Sequence, residues 1–288
     1  MKRICLALLL AVVACQTSPY TGRAQLLLYS EKQMVGLGAK TYLDMTDPKK
    51  VRISTDARLT EPLQRVGRAI SQAANKPDYK WEFKLVDDAK TANAWALPGG
   101  KIAFYTGIYP IVYDEAGMAI VMGHEVMHAL LQHSNERMSQ QVAAAAAMTA
   151  AAVGTRNMDS GERAAIMGAL GVGATVGYIL PYSRKHESES DEQGLYLAAQ
   201  AGYDPEAAVQ VWERMDELSR GKRPPEFLST HPDTRRRIEN MKKWMPKAKE
   251  IYAAAPVRHP NRKLPEVPEA AKRLAAAKRE AEEAATQG

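Results

Sequence analysis

Two histidines and a glutamate give this sequence its strongest chemical signal, because His124, Glu125 and His128 form a His-Glu-x-x-His pattern. On an α-helix, positions four residues apart project from the same face, so two imidazoles at this spacing can bind one Zn²⁺ ion. Glu125 is rotated by roughly 100° from His124 and would lie beside such a metal, where the attacking water needs a general base. The pattern therefore predicts a catalytic zinc site on a helix.

The alternative interpretation of this pattern is a pair of core histidines beside a buried glutamate. The flanking residues 119–123 and 129–131 are all apolar or small. A glutamate without a partner in such a helix would be strongly unfavourable, because an isolated charge loses its hydration there. A metal site explains the glutamate, and we favour it.

An acidic segment downstream can supply the third protein ligand that a catalytic zinc usually takes. Glu187 and Asp191 are again four residues apart on a predicted helix. One carboxylate can ligate the metal, and the other can accept the outer N–H of a zinc-bound histidine. Glu189 competes as a ligand but points roughly 200° away from Glu187 on a helix. We expect Glu189 and His186 to lie at the surface or around the ligands.

From about residue 30 to residue 252, the chain resembles the HtpX-like and CAAX-prenyl-protease family of zinc metallopeptidases. Within that family it is most similar to the periplasmic lipoprotein branch (LoiP-like). The similar segments, in chain order, are residues 93–100, 114–117, 123–128, 182–191, 201–205, 229–232 and 237–238. Ser190 departs from the alanine that is usual in the family, and we expect little effect from it.

The resemblance implies a gluzincin fold in which His124, His128 and Glu187 bind one zinc ion. It also implies that Glu125 is the general base, and that Asp191 supports a zinc-bound histidine from outside the ligand set.

The resemblance further implies that His231 lies in the active-site cleft. An imidazole near zinc could stabilise the oxyanion of a tetrahedral intermediate, or it could block the metal in a resting state. The alternative is that His231 only precedes a helix that begins at Pro232. We expect the arginine run 235–237 to form a solvated or structural face, and His133 and His259 to be surface residues.

Hydrophobic periodicity predicts an α+β fold that is dominated by helices, with a small β-sheet and an active-site helix. The main predicted helices are residues 30–45, 59–74, 114–138 and 183–201, and the predicted strands are residues 79–86, 93–97 and 101–105. The strand at 93–97 offers an edge to an extended peptide. We therefore expect Asn93, Ala94, Trp95 and Ala96 to bind substrate through backbone pairing.

Residues 142–181 are rich in alanine and almost free of charge, apart from a charged break near residues 156–163. With Gly173 and Gly177 spaced as in helix-packing motifs, this segment could form a membrane hairpin. Because its first half is too short to span a bilayer and alanine is only weakly apolar, we favour a pair of packed soluble helices. Contact with a membrane and a role as a lid remain open.

The N-terminus has the pattern of an export signal, with Lys2 and Arg3 before an apolar run at residues 4–14 and then Cys15. The small residues before Cys15 resemble a lipobox, which predicts cleavage after residue 14 and lipidation of Cys15. A plain signal peptide cut nearby is the alternative. Gln16 is typical of lipoproteins sorted to the outer membrane.

Length, charge and cysteine content limit the remaining possibilities. A chain of 288 residues can form one sizeable core, and its formal charge of +6 suits a surface near anionic lipid without suggesting nucleic acid. Both cysteines lie in the first fifteen residues, so the body of the protein has no disulfide framework. The predicted organisation is a signal peptide (1–14), a lipid-anchored tether (15–30), a zinc metallopeptidase domain (31–254) and a charged, flexible tail (255–288).

These features predict a zinc-dependent endopeptidase on the periplasmic side of a bacterial cell envelope, anchored through Cys15 at the outer membrane. By resemblance, its substrates would be unfolded, misfolded or misassembled envelope proteins. The alternative function is a non-catalytic lipoprotein, a chaperone or assembly factor with a structural zinc. The presence of Glu125 argues against that alternative, because a structural zinc site needs no base.

Overall fold

The computed structural model of the chain describes residues 15–174, 180–219, 225–231 and 234–286. The predicted signal peptide at residues 1–14 and the second glycine of the predicted helix-packing motif, Gly177, lie outside the described residues.

Within those residues the protein is helix-dominated with two small sheets, as predicted. The helices are α1 (Glu31–Met45), α2 (Ala57–Ala74), α3 (Tyr109–Val112), α4 (Glu115–Leu130), α5 (His133–Gly154), α6 (Ser160–Ala174), α7 (Leu180–Gln200), α8 (Ala207–Ser219), α9 (Glu226–Thr230), α10 (Thr234–Ala254) and α11 (Pro268–Thr286). The strands are β1 (Cys15–Thr17), β2 (Ala24–Leu26), β3 (Glu82–Val86), β4 (Ala94–Leu97) and β5 (Lys101–Tyr105), and a 3-10 turn spans Thr106–Ile108.

The chain divides into two compact units. The smaller comprises residues 1–34 and 131–188, and the larger comprises residues 35–130 and 189–288, with α7 running as one continuous helix through the boundary. In the smaller unit, β1 and β2 form an antiparallel hairpin. Residues 15–30, the predicted lipid-anchored tether, make defined contacts in the structure. Gln25 is buried and donates hydrogen bonds to the carbonyl oxygen of Leu131 and to Glu136.

The larger unit is built on a three-stranded sheet in the order β3-β5-β4. The central strand β5 runs parallel to β3 and antiparallel to β4. Its residues Ile102, Ala103 and Phe104 are fully buried, since α4 packs on β4 and α2 packs on β3. Predicted and observed bounds agree completely for β5 and within two residues for α2.

Helix α4 carries the His-Glu-x-x-His pattern and is buried on nearly every side. Asp114 caps its N-terminus, because the Asp114 Oδ1 atom accepts a hydrogen bond from the Gly117 amide at 2.8 Å. The predicted helix at 114–138 is nevertheless two helices. Gln132 adopts a left-handed conformation at φ 54°, which separates the first helical run from α5.

Two glycines allow α4 and α7 to cross at close range. A Cβ atom on Gly194 would lie 2.7 Å from the backbone nitrogen of His124, and one on Gly123 would lie 2.6 Å from the carbonyl oxygen of Gly194. This close crossing sets the acidic residues of α7 against the histidines of α4.

The C-terminal residues also differ from the expected flexible tail. The amide of Leu264 donates to the carbonyl oxygen of Tyr113, and the amide of Glu115 donates to that of Arg262. Helix α11 then packs against α8 and buries Ala270 and Ala281. The small apolar residues of this segment share one helix face, a pattern that its high charge content obscured.

Helices α5 and α6, which cover most of the alanine-rich segment, pack against each other. None of the helices in the described ranges combines the length and the apolar character needed to cross a bilayer.

We expect Gly194→Ala to destabilise the protein by about 1–3 kcal/mol, because the new methyl group would press on the backbone of α4. Gly36→Ala is the matched control, since a Cβ atom at Gly36 in α1 meets nothing within 4 Å. It should be neutral or stabilising by up to about 1 kcal/mol. Denaturant unfolding of the two variants measures both effects, and equal stability would contradict the proposed close crossing.

Candidate active site

The regular backbone of α4 sets two imidazoles one turn apart on the same face. The Nε2 atoms of His124 and His128 lie 3.0 Å from each other. His124 and Glu125 are buried, and His128 is partly exposed. The geometry is the one expected for two nitrogens that share a metal, with one side of the pair open to solvent.

A third imidazole converges on the same point from a different element. His231 follows α9, and its Nδ1 atom lies 3.2 Å from the His124 Nε2 atom. Its backbone amide donates to the carbonyl oxygen of Phe227, and its ring stacks on the Phe227 ring at 4.3 Å. The other ring nitrogen, Nε2, lies 3.3 Å from the Glu125 carboxylate. The structure therefore brings His231 beside His124 and Glu125.

Glu187, buried on α7, completes a group with His124, His128 and His231. Each residue offers one ligand atom, and these four atoms all lie within 4.8 Å of one another. Three imidazole nitrogens and one carboxylate oxygen are the donor set that zinc takes in proteins. The residues present thus fit a zinc ion.

Asp191 lies one turn after Glu187 on α7 and is hydrogen-bonded to the His124 ring nitrogen that faces away from the ligand group. Its Oδ1 atom is 2.9 Å from the His124 Nδ1 atom, which leaves Nε2 directed at the ligand group. Burial of Asp191 opposes ionisation, but the Arg237 charge and the bond with His124 outweigh it and hold the pKa of Asp191 below its usual value. An ionised carboxylate at this place fixes the orientation and raises the basicity of the imidazole.

Arg237 is the site residue that the sequence interpretation missed. We expected a solvated or structural face for the arginine run, but Arg237 is buried with 4% of its surface exposed. Its guanidinium binds Asp191 at 2.8 Å and 2.5 Å, donates to the carbonyl oxygen of His231, and lies 3.6 Å above the Trp212 ring. One feature of the sequence could have identified Arg237. It lies in the last of the segments that resemble the family, six residues after His231.

Two other histidines are placed differently from our expectation. His133 is buried and stacks on His186, which is buried as well, with 4.1 Å between the ring centroids. His259, also expected at the surface, is half-buried and stacks on Tyr203. Each of these imidazoles stacks on a ring from a distant part of the chain, so local sequence did not reveal their positions.

The strand expected to bind substrate lies at an edge of the sheet of the larger unit. β4 pairs with β5 on one side, and in the described parts of the chain no further strand pairs with its other side. β4 also packs on α4, the helix of the histidine pattern. Asn93 precedes β4, and its side chain accepts from the Ala94 amide and donates to Glu226. Ala94 is buried, whereas Trp95 and Ala96 are partly exposed.

Comparison with known proteins agrees with this arrangement. The profile of peptidase family M48 matches residues 57–245. The mitochondrial metalloendopeptidase OMA1 of Schizosaccharomyces pombe is 38% identical over 189 residues, which cover 65% of this chain and 53% of OMA1. The human OMA1 protein is 29% identical over 273 residues, covering 86% of this chain and 50% of its own.

A bacterial relative is the β-barrel assembly-enhancing protease of Escherichia coli, 27% identical over 214 residues, which cover 70% of this chain and 44% of that protein. The chain thus spans about half the length of these curated relatives. The family match begins with α2, ends within α10 and includes all of the converging histidines and carboxylates. Zinc is the metal of this family, and the chain belongs to peptidase family M48.

Proposed function

We propose that this protein is a zinc-dependent endopeptidase. The observation that carries the proposal is the convergence of three imidazoles and the Glu187 carboxylate, with Glu125 beside them. His124, His128 and Glu187 are the proposed zinc ligands. A bound zinc ion would polarise the scissile carbonyl and lower the pKa of a water molecule.

Glu125 is the residue that we propose as the general base. Glu125 follows His124 on α4, and its carboxylate lies 3.3 Å from the His231 Nε2 atom, beside the group of four ligand atoms rather than within it. We propose that it takes a proton from the attacking water and passes it to the leaving amine. A structural zinc site would gain nothing from a buried carboxylate at this position, which argues against the chaperone alternative.

His231 has two possible roles, and its position favours one of them. Its Nδ1 atom lies within the ligand group, at 3.2 Å from the His124 Nε2 atom. We propose that His231 caps the metal position in this conformation, as a resting state. Rotation away from that position would open it to substrate and would leave the imidazole able to face the oxyanion.

We propose that an extended substrate pairs with the outer edge of β4. Residues Asn93 to Ala96 would present their backbone groups to it, beside the helix that carries Glu125. Backbone pairing depends little on side-chain identity, so this edge would accept unfolded polypeptides of varied sequence.

We also propose a cellular setting. The sequence resembles the periplasmic lipoprotein branch of the family, so the proposed location is the periplasm. Cys15 is exposed at the start of β1, which suits a lipid anchor at the outer membrane. Unfolded or misassembled envelope proteins are the proposed substrates, and the name of the Escherichia coli relative, a β-barrel assembly-enhancing protease, agrees with them.

The ligand assignment predicts that the purified protein holds close to one zinc ion per chain. His128→Ala should lose most of it, because the variant lacks one of the three proposed zinc ligands and keeps only His124, Glu187 and the capping His231 near the position. His259→Ala is the matched control, since that ring stacks on Tyr203 away from the ligand group. Metal analysis after dialysis tests both variants, and full zinc retention by His128→Ala would overturn the assignment.

The proposed general base predicts that Glu125→Gln keeps its fold and zinc content. Casein cleavage should fall by roughly 10²–10⁴-fold, the usual contribution of a positioned base. His231→Ala should instead raise the cleavage rate if His231 caps the metal position, and a fall would support the oxyanion role. Cleavage by Glu125→Gln at the wild-type rate would remove Glu125 from the mechanism.

The proposed anchor predicts that the mature protein begins at a lipidated Cys15 and sediments with membranes. Cys15→Ala should accumulate as an unlipidated precursor, because no thiol is left to acylate. Mass spectrometry of the mature N-terminus and membrane fractionation measure this. If the variant is processed and located like the wild type, the lipobox interpretation is wrong.

A further inference from the structure

A buried ion pair joins the N-terminal segment to α5. Arg23, in the turn between β1 and β2, binds the Glu136 carboxylate through both terminal nitrogens, at 2.6 Å and 2.7 Å. The exposed fraction is 10% for the Arg23 side chain and 1% for that of Glu136. Residues 15–29, which we call the N-terminal strap, lie outside the part of the chain that the family profile matches.

Further hydrogen bonds tie the strap along α5. The Leu28 amide donates to the Ser139 hydroxyl, and the Asn135 side chain donates to the carbonyl oxygen of Tyr29. The strap is therefore held at several points along about one turn of α5, with the Arg23–Glu136 pair as its charged contact.

The same Glu136 carboxylate reaches a second helix through His186. The Nε2 atom of His186 lies 2.9 Å from the Glu136 Oε2 atom, which also accepts a hydrogen bond from Gln25 at 3.0 Å. Burial of Glu136 opposes ionisation, but these bonds and the Arg23 pair outweigh it and lower the pKa of Glu136 to about 2. The carboxylate is thus charged at neutral pH, and Arg23 supplies the opposing charge.

His186 immediately precedes the proposed zinc ligand Glu187 on α7. Successive side chains on a helix differ in direction by roughly 100°, so fixing one of them fixes the rotation of the helix at the next. Asp191 fixes α7 one turn after Glu187 through His124 and Arg237. The contact between His186 and Glu136 fixes the rotation of α7 at the residue just before Glu187.

We propose that Arg23 and Glu136 are positioning residues for Glu187, so that the N-terminal strap, which lies outside the residues that the family profile matches, holds one of the proposed zinc ligands. This inference rests on the proposed function, because it takes Glu187 as a zinc ligand. The strap begins at Cys15, so the segment that leaves the proposed lipid anchor also orients this ligand.

Zinc affinity of the full chain tests the proposal, measured by competition with a chromogenic chelator well below the melting temperature. Arg23→Gln removes the charge opposite Glu136, and Glu136→Gln removes the charged acceptor of His186. Each should weaken zinc binding by about 10–100-fold, the usual loss when a group that orients a ligand is removed. Arg23→Lys, which keeps the charge but not the paired geometry, should recover part of the affinity.

Arg52→Gln is the matched control, because the Arg52–Asp87 pair has a similar distance of 2.7 Å but Arg52 is 77% exposed. It should bind zinc like the wild type. If Arg23→Gln does not fold, Gln25→Leu removes a weaker bond to Glu136 and should give a smaller loss in the same direction.

A purely structural strap would give a different result. Melting temperatures of the zinc-free variants would fall, while zinc affinity would stay at the wild-type value, and that outcome overturns the proposal. Failure of the proposed function is separate, because it would appear in the wild type as absent zinc binding or absent casein cleavage.

Discussion

The buried contact between Asp191 and Arg237 is the interaction on which the site depends. A carboxylate with 1% of its side chain exposed stays ionised only if it is paired and hydrogen-bonded, and Arg237 provides both. The pair joins α7 to α10, and the Asp191 Oδ1 atom, which accepts a hydrogen bond from Arg237, also binds His124 on α4. Three helices from distant parts of the chain are therefore set around one imidazole, with the Trp212 ring closing the guanidinium from the other side.

Close packing of backbone makes this contact possible. Gly123 and Gly194 let α4 and α7 approach until backbone atoms touch, which places Asp191 within reach of His124. Helix α4 is almost wholly buried, so water is excluded from the charged groups and their interactions are stronger in that environment. Packing and electrostatics act together here, because a wider crossing would separate the groups and admit solvent.

Several features were predictable because they depend on near neighbours in sequence. The strand Lys101–Tyr105, the Asp114 cap and the helix that ends before Gly202 follow from alternation, capping and a glycine with φ 86°. The boundary between α4 and α5 was not predictable, because the left-handed Gln132 is not a residue that favours that conformation. Tertiary contacts, such as the bond from Gln25 to the carbonyl oxygen of Leu131, stabilise the chain at that point.

By itself, the sequence determined the zinc-peptidase pattern. The spacing of His124, Glu125 and His128 places the two imidazoles on one face of any helix, with the carboxylate beside them. The tertiary structure decided which distant groups complete it. His231 meets His124 across 107 residues, and Arg237 meets Asp191 across 46. Helical spacing is a local property of the backbone, whereas contacts between remote residues depend on how helices cross and on which charges must be paired when the core closes. Sequence periodicity carries no record of those crossings.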